Sequence, residues 1–306
     1  MFFIDILSRI HQATYSYGPL RCLATRATAT FFLPPSQALD IIVWERTASV
    51  KLSLVIPARN EEGCIATTLE RFTDFLSANG IDFEIVVVDD GSTDSTAGIL
   101  RSLSQRRPQI VPVTNTGRHG FGMAIRCGLA HIHGDAVAIV MADGSDSPED
   151  LLKYYNKLQE GYDCVFGSRF IRGGCVVDYP HHKLLLNRMA NGFIRILFGL
   201  NFNDVTNAFK CYRREVITGM QPLISPHFNL TVEMPLKALV RGYSYAVVPI
   251  TWTNRAAGIS KLKIKEMGSR YLFIVLYLWL EKHLSRGDYH HTVAAPSDEK
   301  APHINA

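Results

Sequence analysis

The sequence predicts an α/β fold built on a mostly parallel sheet with flanking helices, and three observations predict it. Apolar, β-branched runs at 52–57, 84–88 and 135–142 have the continuous hydrophobicity of strands buried on both faces. Between the first two, Ile65, Leu69, Phe72 and Leu76 recur at helical spacing. Two of the runs stop at carboxylates and a Gly-Ser turn, Asp89-Asp90-Gly91-Ser92 and Asp143-Gly144-Ser145-Asp146. Open α/β sheets bind ligands outside the carboxyl ends of their strands, so acids at two strand tips mark one sheet edge as a site.

The composition permits such a fold. A chain of 306 residues, 47% hydrophobic and 20% charged, can bury a large core and is not disordered. A net charge of +4 is too small for a dedicated nucleic-acid binder but leaves room for locally basic faces. The cysteines Cys22, Cys64, Cys127, Cys164, Cys175 and Cys211 are scattered, with no CxxC and no zinc-spaced histidine, which predicts reduced structural thiols.

Taken in order, residues 1–50 carry apolar patches broken by Pro34-Pro35, none near the ~20 apolar residues of a membrane span. They read as an N-terminal extension that packs on the domain or on a membrane surface, without the pattern of a secretory signal. The main domain is expected over 51–262. Its first strand, 52–57, is followed by Asn60-Glu61-Glu62, which supplies a cap and first-turn acids for a helix through Leu76. After the second strand, Asp94 and Ser95 offer caps for a helix over 96–103. A third strand at 110–113 leads into Gly117, Gly120 and Gly122, which serve either as a phosphate cradle or as ordinary turns.

A helix through Ala130 returns the chain to the strand ending at Asp143. Asp143 and Asp146 offer hard oxygen ligands to Mg²⁺ or Mn²⁺ held together with a substrate diphosphate; helix capping is the other use and suits Asp146 better. Pro148 opens the next helix at its first turn, and a strand at 163–166 ends in Gly167-Ser168-Arg169-Phe170.

Two later segments are basic and amphipathic. From His182 to Leu197 there is no acid; Lys183, Asn187, Asn191 and Arg195 recur every fourth position while Leu185, Met189, Phe193 and Leu197 line another side. This helix, about 182–198, is expected on a membrane surface. A helical segment carrying Glu233 and a strand at 245–250 precede a loop with Arg255 and Lys261 near its ends, suited to closing over phosphates. Residues 263–286 place Lys263, Lys265 and Arg270 before the apolar run 271–280, too short to span a bilayer and suited to its interface. The last stretch, 287–306, reads as a polar, mobile tail.

Jointly, Val-Ile-Pro-x-x-Asn-Glu at 55–61, Val-Val-Asp-Asp-Gly-Ser-Thr-Asp at 87–94, Ala-Asp-Gly at 142–144, Gly-Ser-Arg-Phe at 167–170 and Arg-x-x-Gly-x-Ser-Lys at 255–261 carry a family resemblance. The chain from about 51 to 268 resembles inverting glycosyltransferases of the GT-A (Rossmann-like) fold, and within them the dolichol- or polyprenyl-phosphate mannosyl- and glucosyltransferases. The resemblance implies that Pro57, Arg59, Glu61, Val88 and Asp90, with Ala142 and Ser145, hold the nucleotide-sugar donor. It implies that Asp143 is the metal-binding second acid of an Asp-x-Asp motif. Met141 stands where the first acid would be, leaving Asp143, with Asp146, to hold the cation. Arg169, Lys183 and Asn187 fall where the family positions the acceptor phosphate, and Arg255 and Lys261 where it clamps the donor diphosphate.

The expected reaction moves a hexose, mannose or glucose first, from a nucleotide-diphosphate sugar to a polyprenyl or dolichyl phosphate at the cytoplasmic membrane face, with inversion. Charge building on the leaving diphosphate calls for a divalent cation and fixed positive groups, here Asp143 with its metal, Arg255 and Lys261. A lipid monophosphate, with a second pKa of about 6, needs no strong general base. An alcohol acceptor would need one, and Asp146 and Glu233 are the candidates. Two alternatives stand: a sugar or glycolipid hydroxyl as acceptor, or a non-catalytic nucleotide-sugar binder, motivated by Met141. A dinucleotide oxidoreductase is disfavoured because Pro57-Ala58-Arg59-Asn60 replaces the glycines its first β-α turn requires.

Overall fold

The computed structural model describes residues 50–254 and 264–291. The expected extension before Val50, the loop residues Arg255 and Lys261, and the tail beyond His291 lie outside the described residues. Four β-α units come first: β1 (Leu52–Ala58) with α1 (Ile65–Ala78), β2 (Phe83–Asp89) with α2 (Thr96–Arg106), β3 (Ile110–Thr114) with α3 (Phe121–Leu129), and β4 (Ala136–Ile139) with α4 (Pro148–Gln159). Then follow β5 (Cys164–Ser168), β6 (Cys175–Val177), α5 (His181–Phe198), β7 (Lys210–Arg213), α6 (Arg214–Gly219), α7 (Leu230–Val240), β8 (Tyr245–Pro249), β9 (Thr251–Thr253) and α8 (Ile264–Leu284).

The main sheet has the order β3-β2-β1-β4-β7-β5-β8. β7 runs antiparallel to both neighbours, and the remaining pairs are parallel. From β1 the chain builds outward to β2 on one side and returns to β4 on the other. That reversal is the switch point at which such sheets leave a crevice. The sheet is covered on both faces: Leu52, Leu54 and Ile56 pack with Ile65, Leu69 and Phe72 of α1, whereas Val55, Val137 and Ile139 pack with Ile125 of α3 and Phe198 of α5.

The segment Asn60-Glu61-Glu62 does not cap α1, which begins at Ile65 with Cys64 at the N-cap and no acid in its first turn. Its groups cross instead to the loop after β2. Asn60 Oδ1 accepts from the Thr93 N–H at 2.7 Å, Glu62 Oε2 from Ser95 N–H at 2.8 Å, and Thr96 Oγ1 from Glu61 N–H at 2.9 Å. Asp94 Oδ1 accepts from Thr96 N–H at 3.0 Å, while the Ser95 side chain makes no capping bond. The two loops at the sheet's carboxyl edge are thereby clamped to each other, a use that local spacing does not reveal.

The glycine run is also resolved. Gly120 N–H donates to Asp90 Oδ2 at 2.8 Å, and the N–H groups of Gly122 and Met123 donate to the Pro226 carbonyl at 3.1 and 3.3 Å. The N–H groups of Gly120, Gly122 and Met123 are thus taken by protein acceptors, and Gly122 serves close packing against the 225–227 segment. A Cβ at Gly122 would run into the Ser225 carbonyl oxygen. Gly122→Ala is therefore expected to cost about 1–3 kcal/mol, read as a lowered urea midpoint at unchanged m-value.

Candidate functional site at the sheet's carboxyl edge

The tips of β2 and β4 flank β1, so their backbones stand roughly 10 Å apart at neighbouring spacings of ~4.8 Å. At the β2 tip, Asp90 is 4% exposed. Its Oδ1 accepts from Asn115 Nδ2 at 2.6 Å and meets His119 Nδ1 at 3.1 Å, while its own N–H donates to the Ala58 carbonyl at 2.8 Å. Asp90 thus ties β1 to the loop between β3 and α3. Val88 is fully buried and packs against Ala124 of α3, forming floor beneath the edge. Pro57 and Glu61 are half-buried and Arg59 is exposed at the end of β1.

At the β4 tip, Met141 to Asp146 form a compact turn. The buried Ala142 offers its carbonyl to Thr68 Oγ1 of α1 at 3.0 Å. Asp143, half-buried, accepts from Ser145 N–H at 3.1 Å. The left-handed φ of 72° at Gly144 lets the turn close. Ser145 is buried, and its carbonyl accepts from Thr253 N–H at 3.4 Å. Asp146 lies beneath, 3% exposed, with Oδ2 accepting from Met141 N–H at 2.8 Å.

On the far side, Arg169 follows β5 and is 7% exposed. Its fork closes on Asp204, Nε to Oδ2 at 2.7 Å and Nη2 to Oδ1 at 2.6 Å, and its backbone N–H donates to Oδ2 at 3.0 Å. Burial works against the guanidinium charge, but the Asp204 bonds outweigh it and raise the pKa. Behind this pair, the fully buried Lys210 donates to the carbonyls of Val205, Asn207 and Thr231, and burial pushes its pKa down to about 7.

Asn187 of α5 donates from Nδ2 to Thr206 Oγ1 at 2.8 Å, and Asn191, one turn on, does the same at 2.9 Å. Lys183 is half-buried one turn before Asn187. Glu233 does not suit the base role: it is fully buried in α7, accepting from the N–H groups of Ile224 and Ser225 at 2.8 and 2.7 Å and from Lys237 at 3.1 Å.

Residues 53–219 of the 306 match the model of the family described as Glycosyl transferase family 2. The chain belongs to glycosyl transferase family 2. It is 35% identical over 184 residues to the polyprenol monophosphomannose synthase of Mycolicibacterium smegmatis, covering 58% of this chain and 69% of that one. It is 32% identical over 220 residues to the dolichol-phosphate mannosyltransferase of Pyrococcus furiosus, covering 71% of this chain and 60%, under two thirds, of that relative.

Among solved structures, glucosyl-3-phosphoglycerate synthase from Mycobacterium tuberculosis in complex with phosphoglyceric acid superposes with a TM-score of 0.58 at 20% identity, covering 77% of this chain and 81% of that one. The same synthase with Mn²⁺, UDP and glucosyl-3-phosphoglycerate gives a TM-score of 0.58. At this identity the likeness shows the shared GT-A fold alone.

In this family 2 glycosyltransferase the described residues contain no group of three or more His, Cys, Asp or Glu placed to hold a metal. Met141 offers a soft thioether where a hard cation wants oxygen. Mg²⁺ is usually held by one or two carboxylates plus substrate phosphates, and Asp143 fits that arrangement: a cation arriving with a diphosphate, not a preformed protein cage.

Asp146 lies beneath Asp143 and is buried. Through its bond from the Met141 N–H it braces the turn that carries Asp143, and in the metal-free protein burial, opposed by that N–H and reinforced by Asp143, raises its carboxyl from 3.8 to about 7. A carboxyl whose folded pKa is raised costs stability above that pKa, and the cost disappears as pH falls toward the unfolded value. Asp146→Asn is thus expected to raise Tm at pH 7.5, with the gain vanishing near pH 4, as thermal melts at the two pH values will read.

The family 2 site contains two groups that the spacing of the sequence did not flag. Asp204 lies in a loop and Lys210 opens the short β7; only the tertiary fold pairs Asp204 with Arg169 and gives Lys210 the Val205 carbonyl of the same loop.

Proposed function

We propose that this glycosyltransferase moves a hexose, mannose or glucose first, from a nucleotide-diphosphate sugar to a polyprenyl phosphate, with inversion, at the cytoplasmic face of a membrane. The observation that carries this reading is the orientation of α5. Its amides Asn187 and Asn191 turn inward to Thr206, while Leu185, Met189, Phe193 and Ile196 stand exposed, Ile196 by 85%. α8 likewise exposes Leu272, Phe273, Leu276 and Leu280. No helix among the described residues is long and apolar enough to cross a membrane. Outward apolar faces on two helices suit lying at an interface, with their apolar sides in the boundary of headgroups and acyl chains. The names of the two relatives support a polyprenyl or dolichyl phosphate acceptor.

In this proposal Pro57, Arg59, Glu61, Asp90, Ala142 and Ser145 shape the donor site over the floor made by Val88. Asp143 holds Mg²⁺ or Mn²⁺ against the diphosphate, and the bound cation would neutralise charge on the departing oxygens. Lys183, on the same helix as the exposed apolar face, meets the lipid phosphate, with Asn187 setting the groove beside it. Arg169 holds that wall through Asp204. Arg255 and Lys261 keep the diphosphate role that the family resemblance implies.

The acceptor phosphate attacks the anomeric carbon from the face opposite the leaving diphosphate and is already ionised, so no side chain has to remove a proton. The test is turnover of a radiolabelled nucleotide-sugar panel with polyprenyl phosphate and Mg²⁺ or Mn²⁺. Label in a mild-acid-labile lipid is the expected result. Label confined to an alkali-stable glycan would reject the lipid phosphate as acceptor.

A further inference from the structure

We infer that His119 reads the base of the nucleotide donor, its Nε2 accepting from a ring N–H of the kind that uracil and guanine carry and that cytosine and adenine lack. This rests on the donor reading above and deepens it, because it names the class of base and a residue that the sequence motifs did not supply. The acid at the tip of β2 is itself closed to a base. Asp90 is 4% exposed, and its carboxylate is filled from the loop after β3, by Asn115 Nδ2 and His119 Nδ1 on Oδ1 and by the Gly120 N–H on Oδ2. Asn115 Nδ2 also donates to the Arg118 carbonyl at 2.9 Å, so the loop is folded down onto the acid. The His119 side chain, 47% exposed against 6% for that of Asp90, is the part of this assembly that a ligand reaches.

Asp90 also sets the hydrogen-bonding character of the ring. A carboxylate accepts and does not donate, so the proton of the neutral imidazole sits on Nδ1, 3.1 Å from Oδ1, and Nε2 keeps its lone pair. Among the described residues Asp90 is the hydrogen-bond partner of this ring, through Nδ1, which leaves Nε2 as an acceptor. The ring lies over Gly91, where a Cβ would come within 2.8 Å of Cε1 and 3.2 Å of Nε2. Gly91, at a left-handed φ of 73°, therefore leaves that edge of the ring uncovered.

The carboxyl edge of such a sheet is where a nucleotide lies, and an oriented acceptor there discriminates between bases. Uracil N3 and guanine N1 carry a hydrogen to give it. Cytosine N3 and adenine N1 carry a lone pair, which would face a second lone pair and leave both unpaired. The titratable groups around the ring are Asp90 from β2, Arg118 beside it in its own loop, and His227 of the 224–229 loop, which lies against Gly120. All three are kept in the variants below, so a pH effect that follows residue 119 belongs to that residue.

The full chain is to be titrated calorimetrically with UDP, CDP, GDP and ADP in the presence of Mn²⁺. UDP should bind about tenfold tighter than CDP if the base is uracil, or GDP about tenfold tighter than ADP if it is guanine, the scale of one hydrogen bond. Between about pH 8 and about pH 5, where an imidazole changes charge, Nε2 becomes a donor and the preference should disappear. H119N keeps a donor for Asp90 but has no atom at the Nε2 position, so it should lose the preference with Tm unchanged. H119Q reaches that position with an amide oxygen, so it should keep the preference and hold it at both pH values. A merely structural histidine would show the reverse, rescue by Asn and not by Gln. Equal binding within both pairs by the unaltered protein, or a preference that survives in H119N, overturns the inference and leaves the donor reading standing. Failure of all four diphosphates to bind overturns the donor reading as well.

Discussion

Asp143→Asn is expected to lower kcat by about 10²–10³-fold, the scale of losing one fixed electrostatic contact to developing charge. The loss should be large because, among the described residues, Asp143 is the carboxylate placed to hold the cation. Met141 replaces the first acid of the motif, and Asp146 is buried with its Oδ2 accepting from the Met141 N–H. The substitution keeps the size of the side chain and an oxygen able to accept from Ser145 N–H, so the turn after β4 should survive. Steady-state kinetics over a Mg²⁺ or Mn²⁺ titration provide the check, with donor binding measured separately. A loss below tenfold with an unchanged metal profile would remove Asp143 from the role given to it.

Arg169→Ala is expected to destabilise the fold by about 3–5 kcal/mol, because it leaves the Asp204 carboxylate buried without its partner. Asp204 is 0% exposed and accepts all three bonds from Arg169. Against a total stability of about 5–15 kcal/mol this is a large fraction. Arg169→Lys keeps a charge but loses the two-pronged geometry, so it should recover only part of the loss. Denaturant unfolding distinguishes this from a role confined to the acceptor phosphate. In that case stability would stay level and only the KM for the lipid phosphate would move.

The strands, their order of appearance and the acids at two tips were legible because each is local: an apolar run has to be buried, and the residue after it has to emerge at the sheet edge. The helices α1 and α5 were legible for the same reason, through 3.6-residue periodicity, and α4 through Pro148 at its first turn. The antiparallel β7 between β4 and β5 was not, since a four-residue strand carries no periodic signal of its own. Nor was the pairing of β6 with β9, two three-residue strands far apart in sequence.

By itself, then, the sequence determined that this is an α/β chain with carboxylates at one sheet edge and helices after them. Tertiary structure alone decided what each polar group does once there. It turned Asn60 and Glu62 from caps into a clamp, gave the amides at Gly120 and Gly122 to Asp90 and Pro226, and closed Arg169 on Asp204. The physical reason is that an apolar side chain needs only a dry neighbourhood, which pattern predicts. A hydrogen bond needs a particular partner within about 3 Å, and those partners lie tens of residues away along the chain.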